Sequence, residues 1–151
     1  PELRNPTQMV TLWAGHRDDA KRFVMHKDFA CHYCPVFKAA FNGKFLEGQS
    51  QEYRLSEDKE EVVRFLVEWL YTQDINTRRR QEIGSVDEDA DEDLTLVKLW
   101  ILADELLLPR LQNAVLYKLQ RIREAFRHTP LKCLHYVYEH TEFASPLREW
   151  F

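Results

Sequence analysis

The sequence predicts an α+β fold that is mainly helical, with a small three-stranded sheet flanked by a cluster of helices. Three observations predict it. Residues 9–26 hold two short apolar-alternating stretches around a charged turn. Long runs with helical periodicity fill most of the chain after residue 56. Four glycines in 151 residues are also few for a mostly-β fold built from tight turns.

Residues 1–8 are polar and read as a loose leading segment. "MVTLWAG" then alternates Val10, Leu12 and Ala14 against other side chains and stops at Gly15, as a strand does. "HRDDAK" is a charged turn and "RFVMH" the returning strand, so 9–26 form a β-hairpin. A helical hairpin follows, and "EYRL" (52–55) is the third strand. In "SEDKEEVVRFLVEWLYTQ", Asp58 is the expected cap with Glu61 three residues on, a capping-box arrangement. Val62, Leu66, Trp69 and Leu70 then recur at helical spacing.

"NTRRRQEIGSVDEDADED" (76–93) sets three arginines against a run of six acids with little to bury, and reads as a solvated, disordered insertion. Arg78 to Arg80 as a nuclear-import patch is the weaker alternative. "DLTLVKLWILADELLL" (93–108) is apolar nearly all round and is expected to be a central helix. Leu108 before Pro109 ends it, because a residue preceding proline is pushed out of the α region. Pro109 opens the next helix, with Leu111, Val115, Leu119, Ile122 and Phe126 along one stripe. Thr129-Pro130 starts another, with Leu131, Leu134 and Val137 inward.

With 44% hydrophobic and 30% charged residues, the chain has the composition of one ordinary globular domain. A net charge of -4 supplies no basic face for nucleic acid. No apolar run reaches the roughly 20 residues of a membrane span. The chain opens on Pro1 and stops at "REWF", so it is expected to be a piece of a longer protein. Three cysteines make no disulfide framework and favour a reducing compartment, cytoplasm or nucleus.

His26, Cys31, His32 and Cys34 fall within nine residues and raise three readings: metal site, redox pair or structural side chains. A structural zinc site takes four ligands, commonly two close pairs, and Cys133 is the only other cysteine. On a helix, positions 26, 31, 32 and 34 do not converge on one face. A redox pair belongs at a helix start in a βαβ setting, which is missing here. The structural reading is preferred: small, half-buried cysteines in a helical hairpin. His135 and Glu139 share a helical face beside His140, without further partners. With no GxSxG, HExxH, P-loop or glycine-rich dinucleotide turn, the expectation is no enzyme, no metal, no cofactor and no small-molecule substrate.

Laid in order, these elements resemble a BTB/POZ domain over about residues 9–122. "FVMHK" resembles the family's strand ending in apolar-x-His-Lys/Arg. "CPVFKAAFNGKFLE" resembles its S-P-x-F-x-A-x-F helix and the hydrophobic-x-Glu segment after it. "RLSED" and "FLVEWLYTQDI" are similar to the third strand, acidic turn and Y-T-x-x-I helix exit. "LVKLWILADELLLPRLQNAVLYKL" is similar to the family's helix pair. The tail "YVYEHTEFASPLREWF" further resembles BTB proteins of filamentous fungi.

The resemblance implies a BTB/POZ fold with two extra C-terminal helices: a loose segment 1–8, the domain 9–122 with its insertion at 76–93, and an extension 123–151. It implies a protein-interaction module with two uses, docking a cullin scaffold as a ubiquitin-ligase adaptor and self-association into a homodimer. A homomeric scaffold in transcriptional regulation without a ligase link is the alternative. The cullin-type contact falls on Phe45, Leu46 and Glu47; the competing reading has Phe45 closing the local core and Glu47 merely solvated. Phe29 and Tyr33 are the dimer-interface candidates. Cys34 stands where the family usually has a helix-capping serine, and sulfur is the poorer acceptor. His26 matches the strand-end histidine, expected as a packed hairpin residue.

Overall fold

A computed structural model of the chain describes residues 1–77, 86–127 and 129–151, with the side chains of 86–90 left aside. Strands β1 (Met9–Ala14), β2 (Lys21–His26) and β3 (Glu52–Leu55) form one sheet in the order β2-β1-β3. β1 runs antiparallel to β2 and parallel to β3. The hairpin turns at Gly15, whose φ of 91° favours glycine. A parallel neighbour needs a crossover connection. It consists of α1 (Lys27–Tyr33), α2 (Pro35–Phe41) and α3 (Leu46–Ser50). Val10, Leu12, Ala14, Met25 and Leu55 turn inward at the strand period of two, and all five are buried.

Against this face packs α4 (Glu60–Thr72); α5 (Val86–Glu105) packs on α4, and α6 (Pro109–Phe126) on α5. α4 buries Val62, Leu66, Trp69 and Leu70, the expected stripe, together with Val63 and Phe65. α5 is the central helix, burying Leu96, Val97, Leu99, Trp100, Leu102 and Ala103. α6 begins at Pro109 as its missing N–H allows, and buries Leu111, Val115, Leu119 and Ile122. Beyond it come a 3-10 turn (Leu131–Cys133), α7 (Leu134–His140) and α8 (Pro146–Trp150). Val137, Cys133 and Leu147 tie this extension to the core. The Lys98 ammonium lies 5.1 Å from the Tyr136 ring and the Arg123 guanidinium 5.5 Å from Trp150. No helix among the described residues is long and apolar enough to cross a membrane.

Four expectations need correction. α5 starts at Val86, so the second part of the acidic stretch is helical rather than loose; the arginine triplet lies outside the described residues. Phe126, at the last turn of α6, is exposed, because the stripe outruns the neighbour that covers it. Thr129-Pro130 leads into a 3-10 turn, not an α-helix, and leaves Leu131 exposed. Finally, Lys59 rather than Asp58 is the N-cap of α4, and no side chain caps that end.

Asp58 is partly buried instead. Burial, then the charges of Glu105 and Glu57, push its carboxyl up to about 6. The folded chain therefore keeps a proton between the ordinary carboxyl range and pH 6 that the unfolded chain has released. This group's contribution is most favourable in acid and is lost as pH rises through about 6. Asp58→Asn is expected to stabilise the fold by about 1 kcal/mol at pH 7.5 after allowance for solvent screening. Near pH 4 it should change almost nothing. Urea titrations at the two pH values check this.

Candidate functional site

The crossover helices owe their geometry to one residue. Cys34 adopts extended backbone angles (φ -106°, ψ 108°) before Pro35, which ends α1 and lets Pro35 open α2. Its sulfur accepts the Phe37 N–H at 3.5 Å and its thiol donates to the Leu106 carbonyl at 3.6 Å. Sulfur thus does the capping work of the expected serine, and a bond to the end of α5 compensates its weakness as an acceptor. Burial pushes the Cys34 thiol up to about 11 and raises that of half-buried Cys31. Thiolate is the nucleophilic form, and burial disfavours it at both sulfurs. Among the described residues no three His, Cys, Asp or Glu side chains are grouped to hold a metal ion.

His26 belongs to the hairpin seam. Its backbone N–H donates to the Tyr71 hydroxyl at 2.9 Å, and its Nδ1 lies 2.8 Å from the same oxygen. Phe29 stacks 4.8 Å from Tyr71, and Tyr33 lies 5.7 Å from Trp69. The two dimer candidates are therefore half-buried along the α1–α4 seam. His135 and Glu139 meet at 3.1 Å on exposed α7, while His140 stacks on Tyr136 at 3.9 Å. These are neighbouring contacts on one helix.

α3 presents the most distinctive surface. Phe45 is its N-cap residue and is 82% exposed, and Leu46 beside it is 74% exposed. Phe45 does not close the local core. Glu47 follows in the first turn, half-buried, where a carboxylate suits the helix dipole. Burial first, then the charges of Cys34, Glu47 and Glu105, raises the Tyr53 hydroxyl above its ordinary value. Leu107, exposed in the turn after α5, holds a left-handed φ of 56°. Two adjacent apolar side chains thus stand out from the surface directly ahead of a carboxylate, an arrangement suited to entering a groove on another polypeptide.

Sequence reasoning named those three residues but missed what aims them. Gln51, in a left-handed conformation, donates from Nε2 to the carbonyls of Phe41 and Gly48, both at 2.8 Å. Its backbone N–H closes on Glu47 at 2.8 Å. One side chain thereby fastens the end of α2 to the end of α3. Gly48 packs against the Gly43 backbone so closely that an added Cβ would stand 2.8 Å from the Gly43 carbonyl carbon. The only signal in the sequence was a glycine on either side of "KFLE".

Compared with known families, the chain matches the BTB/POZ domain family model over residues 3–123. No curated protein shows significant similarity to it.

Proposed function

The chain belongs to the BTB/POZ domain family, whose members are protein-protein interaction modules, and from that premise we propose that it docks a cullin-type ubiquitin-ligase scaffold through α3. One observation carries this reading: Phe45 and Leu46 project from the first turn of α3 at 82% and 74% exposure, directly before Glu47. An exposed aromatic fills a groove on a partner helix, and a neighbouring carboxylate fixes the register and rejects mismatched partners. The extension built from α7 and α8 packs on the core. In this reading the substrate-recruiting part of the adaptor belongs to another segment of the full protein, and the odd cysteine count points to the cytoplasm or nucleus.

Binding of a purified cullin N-terminal domain tests the proposal. The double variant Phe45→Ala, Glu47→Ala is expected to weaken binding about 100-fold or more, the loss of an aromatic anchor with its charge partner. Because Phe45 is exposed and Glu47 only half-buried, its melting temperature should stay close to that of the parent. Equal affinity in the two proteins would remove α3 from the account.

Self-association is the second use we propose, motivated by Phe29 and Tyr33, which sit one turn apart on α1 and are only partly buried. A homomeric scaffold without a ligase link would show a tight dimer by sedimentation and no cullin binding.

A further inference from the structure

The free edge and outer face of the sheet form a second surface, on different elements from α3. Register sets Arg22, Trp13 and Arg54 side by side across all three strands, with the Arg54 guanidinium 5.4 Å from the Trp13 ring. Next to them Val24 pairs with Thr11 and is 49% exposed. Both arginines are exposed, and among the described residues neither has a carboxylate within ion-pair distance. In a chain of net charge -4 this pair of cations stands out, with Glu52 on the far strand the acid that shares the face.

β2 is also an edge strand. The Lys27 N–H donates to the Gln8 carbonyl, which fixes the phase of the ladder. Odd-numbered residues of β2 turn their peptide groups to β1, and even-numbered ones turn theirs outward. At one end the Tyr71 hydroxyl covers the His26 N–H. No hydrogen bond among the described residues covers the outward peptide groups of Arg22 and Val24.

We propose that this edge docks an extended acidic segment of a partner protein, which adds as a strand beside β2 with a carboxylate next to Arg22 and an apolar side chain next to Val24. Backbone pairing to Arg22 and Val24 supplies the affinity, and alternate side chains on the outer face supply the selection. A carboxylate across from Arg22 forms a favourable cross-strand pair. Pairing of β2 with a second copy of itself would instead set no carboxylate across from Arg22, since β2 carries none. Cations on an edge ordinarily discourage such pairing. They leave the edge open to a strand of opposite sign.

The test titrates isotope-labelled protein with a capped hexapeptide of alternating glutamate and valine, followed by amide shifts. Saturable shifts at Arg22 and Val24 are expected. Arg22→Glu and Val24→Pro should each weaken binding about tenfold or more. The Val24 N–H faces away from β1, and an outward N–H on an edge strand is where a strand tolerates proline. Should Val24→Pro fail to fold, the decision passes to Arg22→Glu, which should come to prefer a lysine-valine hexapeptide over the glutamate-valine one. Four results would overturn the proposal: no saturable shift at millimolar peptide, unchanged affinity in the variants, equal binding of the lysine-valine peptide to the parent, or concentration-dependent dimerisation through the same amides.

Discussion

Phe37→Ala is expected to cost about 3–5 kcal/mol of folding stability, the range for deleting a large buried aromatic. Phe37 is fully buried, with its ring 5.7 Å from Phe41 and 5.1 Å from Tyr53. Its backbone N–H is the one that the Cys34 sulfur accepts. The ring therefore wedges α2 against β3, and its removal leaves a hole between rigid elements that do not close over it. Phe37→Leu, which keeps most of the volume, should cost much less. Urea denaturation of both variants checks the ordering. If alanine cost less than leucine, α2 would not pack on the sheet in this way.

Gly48→Ala should have the second largest effect, about 1–3 kcal/mol of stability, as overpacking of a tight site does. The new methyl meets backbone, the Gly43 carbonyl, so no side chain is free to swing aside. Relief requires α3 to move away from the end of α2, which breaks the Gln51 bond to the Phe41 carbonyl. The expected result is a lower melting temperature together with loss of cullin binding, although the Phe45, Leu46 and Glu47 side chains are untouched. Ser50→Ala, two residues on and exposed, serves as the control and should leave both nearly unchanged. A Gly48→Ala protein matching the parent in both measurements would contradict this packing.

The sheet and the long helices were legible because their signals are local. Val10, Leu12 and Ala14 alternate, Gly15 takes the left-handed turn, and Val62, Leu66, Trp69 and Leu70 fall on one helical face. What escaped depends on neighbours. Asp58 satisfies a capping pattern by spacing, but tertiary packing buries it beside Glu105 and Glu57, and Lys59 takes the cap position. Phe126 and Leu131 continue an apolar rhythm past the surface that would cover them. The acidic stretch reads as solvated by composition, yet its second part extends the helix that Leu94 to Ala103 anchor in the core. α3 has five residues, too short for periodicity to register. Its residues were named through family likeness, while the exposure of Phe45 and the Gln51 fastening became visible only in three dimensions.

Hydrogen exchange with and without a cullin N-terminal domain measures the docking surface most directly. The account predicts that bound scaffold slows exchange of the Glu47 to Gln49 amides in α3 and leaves those of β2 unchanged. Binding that protects the sheet edge or the α1–α4 seam while α3 exchanges freely, or no binding at all, would contradict it.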